Sequence, residues 1–427
     1  MNSPTYTSPF KLALICGVLT AFPAMSIDLG LPGFVEVAGD LSVPVEHVSQ
    51  TLSFFFLGFA LSPLIGGPLS DRLGRRGVLL GACLVYAIAS LLATSTSGFS
   101  SLLLWRLLQG AGAGVAAVLA ITVIRDHYQG AEARRLLSYA AVVRIIGPTT
   151  APTVGNLLLL LGSWRWIYGF MTLGGVLMFL MVALGLPESS RARLATLGAA
   201  SNQPSLPKQS LRGVLKDYRT FLTDKSSLAY ALIIALTFGS HFSYVTGSLY
   251  VYVNLLHVST VTYGALFGVM ALSLMLGSLF SGRLARHALP GHVIISTSIT
   301  VSVVSSMITL TLALVNHLDV VSLTALLSVN TVCLGVLTPC AQQGAMERAG
   351  AFAGTASALM NALTTGMGAG ASYLEGILLT RFPNTPGAVM SGQMAACCCC
   401  ALMVYLAAGF GEKRIVGLAA LPRLSRD

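Results

Sequence analysis

The chain reads as an all-α membrane protein, with twelve transmembrane helices in two pseudo-symmetric six-helix halves. Three observations predict this. First, 55% of its 427 residues are hydrophobic and only 9% are charged, with mean hydropathy +0.79. Ordinary globular chains sit near ~45–50% and ~25%. Second, the apolar residues gather in runs long enough to span a bilayer, which takes about 20 residues. Third, a single long polar break, 187–227, divides those runs six and six. The organisation that follows is an N-terminal bundle (1–187), a cytoplasmic linker (188–227), a C-terminal bundle (228–410) and a cytoplasmic tail (411–427).

The runs can be taken in order. The first, 11–31, is longer than the core of a signal peptide, contains Pro23 and Asp28, and follows a single cation, so it reads as a retained span. The second, 48–69, ends in "GGPLSDRLGRR", and 77–95 and 100–124 are separated by a short polar turn. The runs 136–161 and 166–186 flank "GSWR". Beyond the linker come 228–255, 262–281, 293–315, 319–342, 353–379 and 387–410. Within the linker, "QSLRGVLKDYRTFL" has amphipathic spacing; a short surface helix and a plain tether both fit it.

Of the 25 Lys and Arg, all but Arg165, Arg381, Arg106 and Arg144 fall in segments on one side of the membrane if both termini share that side. This is the positive-inside bias, and it predicts cytoplasmic termini. The net charge of +10 therefore reports topology, and no nucleic-acid partner is expected. The eight cysteines have no disulfide or zinc spacing, and neither metal nor cofactor is expected.

The halves resemble one another. "GPLSDRLGRR" (67–76) follows the second span and "SLFSGRLARH" (278–287) the eighth; both contain S-x-R-L-x-R, with Gly282 opposite Asp71. Matched six-span halves are the mark of a transporter that rocks about a midplane site. Gly67 and Gly74 permit a tight turn, and Arg72, Arg75 and Arg76 anchor it at the membrane face. "GAGAG" (110–114) and "GMGAG" (366–370) lie inside spans rather than after a strand, so they read as helix-packing faces and not dinucleotide loops.

"GGPLSDRLGRR" resembles the signature loop of the major facilitator superfamily. With "IDLGLP", "RLLQGAGAG", "VIRDHY", "APTVGN", "GSWRWIY" and "AGTASAL", the chain is similar to the bicyclomycin-resistance-type drug:proton antiporters over residues 10–410. The resemblance implies the major facilitator fold and proton-coupled efflux. It implies that Asp28 and Arg106 form the proton-coupling site. It also implies a gating latch, in which Asp71 meets the eleventh span near Gly354 and Thr355 while Arg75 pairs with Asp126. "RIIGPTTAPTVGN" resembles the helix-bending antiporter motif, with Gly147, Pro148, Pro152 and Gly155. It departs from the pattern in Ala151, Asn156 and the extra Gly147-Pro148 pair.

Polar groups inside the spans are the remaining candidates, because a charge at the bilayer centre costs roughly 2.5–3.5 kcal/mol on insertion scales. Asp28 lies about 25 Å along the first span from Lys11, at 1.5 Å per residue, and Arg106 shares its depth on the fourth. Pairing is open to them, as is a plain interfacial role for Asp28 ahead of Pro32; Gln109 lies one turn further in. Arg144 falls ~12 Å into the fifth span, where contact with substrate and snorkelling to the cytoplasmic side both fit. His241 and Tyr244 on the seventh span, Asn330 on the tenth and Asn361 on the eleventh are candidate substrate contacts, and equally candidates for interhelical hydrogen bonds. Glu375 and Asp319 lie near outer helix ends, where interfacial solvation is expected.

The expected function is a bacterial inner-membrane, proton-coupled exporter of small molecules working by alternating access. Its expected partners are substrate, protons and the lipid bilayer, and it is expected to act as a monomer. An importing symporter or facilitator of a small, even anionic, solute is the alternative. A polytopic enzyme lacks support, since no HExxH helix, nucleophile elbow or acid/His cluster is found. A receptor without transport would need no paired gating loops.

Overall fold

The computed structural model describes residues 8–128, 130–186, 211–286, 290–346 and 353–409. Most of the 188–227 linker and all of the 411–427 tail lie outside them. The secondary structure of the described residues is helical. In the first half the long helices are α1 (Pro9–Asp28), α4 (Gln50–Leu73), α5 (Arg75–Thr94), α6 (Phe99–His127), α7 (Gly130–Leu159) and α8 (Arg165–Gly185). Two short helices, α2 (Phe34–Asp40) and α3 (Val45–Val48), join α1 to α4. After α9 (Leu211–Thr223), the second half contains α10 (Lys225–Leu249), α11 (Thr260–Arg286), α12 (Gly291–Leu314), α13 (Val320–Met346), α14 (Ala353–Arg381) and α15 (Pro386–Ala407). Ten described segments are long and apolar enough to cross a membrane. The expected fifth and eleventh spans are α7 and α14, at 30 and 29 residues also long enough to cross.

Helix neighbours repeat between the halves. In the first half α1 packs on α6, α7 and α8, α4 on α6, and α5 on α6 and α8; in the second α10 packs on α13, α14 and α15, α11 on α13, and α12 on α13 and α15. The halves meet where α4 packs on α14 and α7 on α11. Small residues set these approaches. A Cβ on Gly110 would lie 1.9 Å from the Phe55 carbonyl oxygen, one on Gly114 2.4 Å from that of Phe59, and one on Gly112 2.5 Å from that of Ala82. "GAGAG" is thus the packing face of α6 against α4 and α5. "GMGAG" is not its equivalent: Gly366 and Gly370 have open space beside them, and only Gly368 meets a neighbour, the Phe238 ring.

The fifth-span motif works through approach as well. Helix α7 runs unbroken through Pro148 and Pro152. A Cβ on Gly147 or Gly155 would lie 2.5 Å from the Ala21 or Leu29 carbonyl oxygen, so these glycines let α7 lie directly on α1.

Helix α9 matches the amphipathic stretch of the linker and seats Phe221, 1% exposed, in the core of the second half.

Candidate transport site

At the loop between α4 and α5, Gly74 has φ 94° and ψ 146°, a backbone region essentially confined to glycine. Gly67 is different: it lies within α4, so the turn depends on Gly74 alone. The Arg75 Nε donates to Asp126 Oδ2 at 3.0 Å, and its Nη1 donates to Ser70 Oγ. Arg76 donates to the Ala183 carbonyl at 2.6 Å, placing a cation at the C-terminal end of α8, where the helix dipole favours it. The side chains of Asp71, Arg72 and Thr355 lie outside the described residues, and with them the proposed contact to α14.

Asp28 and Arg106 share a depth, yet they make no ion pair. Ser26 faces the first-half bundle, where its hydroxyl bonds Tyr86 and its carbonyl accepts from Arg106 at 3.4 Å. At 100° per residue, Asp28 lies about 200° further round the helix, on the opposite side. It is 7% exposed and makes no hydrogen bond or ion pair with a described residue; Tyr244 and Tyr263 of the second half are in electrostatic contact with it. Arg106, 2% exposed, donates to the Thr51 carbonyl at 3.3 Å and to Gln109 Oε1 at 2.6 Å, and lies 4.6 Å from the Phe55 ring centre. Gln109 in turn donates to Ser90 Oγ at 2.6 Å. Both side chains are committed to the interior of the first half.

Arg144 stands apart. It is exposed and makes no hydrogen bond or ion pair with a described residue. On α7, Val143, Gly147 and Gly155 face α1, and Pro152 and Asn156 face Gly264 of α11. Ile146 and Leu157, more than half exposed, mark the outer, lipid-side face. Helical geometry puts Arg144 between the first two faces and roughly half a turn from the third. Its exposure therefore opens between the halves, not towards lipid. The register of α1 on α7, Gly17 at Val143 and Leu29 at Gly155, sets Arg144 about 15 Å nearer the termini than Asp28.

The far end, opposite the termini, is closed above this space. Phe56 meets Phe242 edge-on with centres 4.3 Å apart, and the Tyr250 hydroxyl donates to the Val45 carbonyl at 2.8 Å. His241 packs among Phe238, Phe242 and Tyr244, and Tyr244 stacks on Phe267. The aromatic wall facing Asp28 thus includes Tyr263 and Phe267 of α11. The sequence reading passed over both, because an aromatic residue near a span end has no distinguishing pattern.

Two other candidates are placed elsewhere. Asn330 donates to Ser306 Oγ at 2.9 Å and the Ser302 carbonyl at 3.4 Å, joining α13 to α12. Asn361 lies seven and fourteen residues before Gly368 and Glu375, on the stripe of α14 that faces α10. Asp319 is exposed as expected, and hydrogen bonds from the Ser322 hydroxyl and amide hold its carboxyl below the usual carboxylate range. Glu375 corrects the reading: it is 0% exposed, inside the second half and not at an interface.

A family model, Major Facilitator Superfamily, matches residues 13–373. An uncharacterised MFS-type transporter, YdgK of Bacillus subtilis, is 30% identical over 379 residues, covering 88% of this chain and 91% of that protein. A bicyclomycin resistance protein homolog of Haemophilus influenzae is 24% identical, covering 93% and 96%; Multidrug resistance protein D of Escherichia coli is 27% identical, covering 83% and 85%. Among solved structures, the POT family transporter PepTSo superposes with TM-score 0.72 at 13% identity, covering 97% of this chain and 99% of that one. A D-xylose-proton symporter does so with TM-score 0.69 at 14% identity, covering 92% and 97%.

Proposed function

The chain belongs to the Major Facilitator Superfamily, and we propose that it is a proton-coupled exporter of small molecules across the bacterial inner membrane, with both termini cytoplasmic. The observation that carries this reading is the placement of Asp28. Its carboxylate lies without a hydrogen-bond partner among the described residues, at the boundary between the halves and under the closed far end. A carboxyl there changes its surroundings whenever the halves rock, and a change of surroundings is what moves a proton on and off. Arg144, open to the same space and about 15 Å closer to the termini, is the proposed substrate contact. With Arg106 committed to its own bundle, Arg144 is the cation that supports an anionic or acceptor-rich substrate. His241 and Tyr244 form the aromatic side of the proposed site. The printed names of the Haemophilus and Escherichia relatives, bicyclomycin and multidrug resistance, support export of drug-like compounds.

Two variants in proteoliposomes with an imposed proton gradient test this reading. Asp28→Asn is expected to insert and bind yet to lose uphill, proton-driven movement of every compound that the parent transports. Arg144→Ala is expected to raise KM for anionic compounds about 10- to 100-fold, in line with the ~1.5–3 kcal/mol of a hydrogen bond to a charged group. Proton-driven accumulation retained by Asp28→Asn overturns the coupling role. Movement of solute with the proton, rather than against it, replaces export with import.

A further inference from the structure

We propose that Glu375 is a second proton-binding site, seated in the second half on the bare backbone of Gly247, and that it releases its proton when the far end opens. The site does not depend on the role given to Asp28. Glu375 is 0% exposed, and neither of its carboxylate oxygens finds a hydrogen-bond donor among the described residues. A Cβ on Gly247 would lie 2.8 Å from Glu375 Oε1 and 2.9 Å from Met390 Cγ, so the carboxylate rests where any other residue of α10 would put its side chain. Across from it on α15, Gln393 donates its Nε2 to the Ala371 carbonyl at 2.6 Å, one turn before Glu375, and leaves its own Oε1 buried without a donor. This corner of the bundle therefore holds surplus acceptors. A carboxylic acid adds a donor; a carboxylate adds an unpaired charge in a dry interior.

Among the described residues, no cation faces Glu375 from the elements packed against α14. From α15 its electrostatic contact is the Cys397 thiol. On α10 the titratable residues before Gly247 are Lys225, Tyr230, His241 and Tyr244, Tyr250 follows in the turn beyond it, and the titratable group described on α3 is His47. Helix α4 carries no titratable side chain before Asp71, α13 carries only Cys333 and Cys340, and α9, with Lys216, Asp217, Tyr218 and Arg219, lies at the terminal end.

The link to the far end is the segment that follows Gly247. Helix α10 gives way at Leu249 to a π turn, Tyr250–Leu255. Such turns recur at functional sites and shift register readily. Tyr250 in that turn donates to the Val45 carbonyl of the first half, and α3, which contains Val45, packs on α14. Opening the far end must break this bond and move the turn directly beyond the seat of Glu375. The acid then meets water and passes its proton to it, giving carboxylate and hydronium; closure reverses the step.

The test needs no substrate. The full chain is purified into nanodiscs, and the carbonyl band of protonated carboxylic acids is followed by infrared spectroscopy from acid to alkaline pH. A band is expected at neutral pH that Glu375→Gln removes and Asp28→Asn retains. Gly247→Ala, which crowds the seat but leaves the acid in place, is expected to shift its position or its titration midpoint. In a background with the eight native cysteines replaced, Ser53→Cys reports far-end opening by maleimide labelling. Its labelling is expected to rise with pH in the parent and to stay at the acid level with Glu375→Gln. A spectrum unchanged by Glu375→Gln, or labelling with the parent's pH dependence in that variant, overturns the proposal.

Discussion

Two buried charges, Arg106 inside the first half and Glu375 inside the second, are held in opposite ways. In the first, Arg106 is 2% exposed and its donors meet the Ser26 and Thr51 carbonyls and Gln109, with the Phe55 face beneath it. In the second, Glu375 is 0% exposed and unmet. A satisfied buried charge is a fixed structural part; an unsatisfied acid responds to any movement that brings it water. Close packing is present in both halves, but not along α14. Three glycines stitch α6 to α4 and α5, and Gly277 and Gly335 bring α11 and α13 as close, whereas a Cβ on two of the three glycines in "GMGAG" would meet nothing. The room to adjust lies along α14, the helix that carries Glu375.

The largest effect expected from this contrast concerns the charges themselves. Arg106→Met leaves Gln109 Oε1 and two carbonyls short of a donor, at about 1–3 kcal/mol for each group left bare. Thermal unfolding in detergent is expected to fall by many degrees. Glu375→Met removes a group that has no partner to lose, and is expected to leave the midpoint unchanged or higher. Equal losses in the two variants would erase the distinction between the two sites.

Next come the glycines. Gly110→Val drives a side chain into the Phe55 carbonyl, 1.9 Å from where its Cβ would stand, and is expected to cost about 3 kcal/mol or to abolish insertion. Gly366→Ala, with open space beside it, is expected to be neutral or mildly stabilising, since alanine favours helix by up to ~1 kcal/mol. Expression and melting of the two variants side by side measure the difference. The smallest effect falls on the duplicated loop. Gly74→Ala forces alanine to φ 94°, at about 1 kcal/mol or somewhat more. In the second copy α11 runs straight through to Arg286, and Gly282→Ala, opposite Asp71, is expected to be neutral or slightly stabilising. If both loop variants destabilise alike, the sharp turn is not what separates the copies.

Much of the transporter was legible in its amino acids. Span length and apolar content come from bilayer thickness, which one-dimensional counting captures. The Arg75–Asp126 pair followed from the loop resemblance, and the close approach at Gly110, Gly112 and Gly114 from the absence of a side chain. Depth was also countable: residues at 1.5 Å each put Asp28 and Arg106 at one level, and the structure keeps them there. What counting along a helix does not give is which neighbour each face meets. A single residue, Ile27, separates Ser26 from Asp28, and the two look into different halves.

Composition, span number, the internal repeat and the shared depth of Asp28 and Arg106 are set by the sequence alone, because each depends on distance along the chain and on the cost of placing polar groups in lipid. Tertiary structure decided the partners: Arg106 with carbonyls and not with Asp28, Asn330 with α12, Arg144 open between the halves, and Glu375 closed in against Gly247. The reason is geometric. A helix turns 100° per residue, so the direction of a side chain has meaning only once the neighbouring helices are in place.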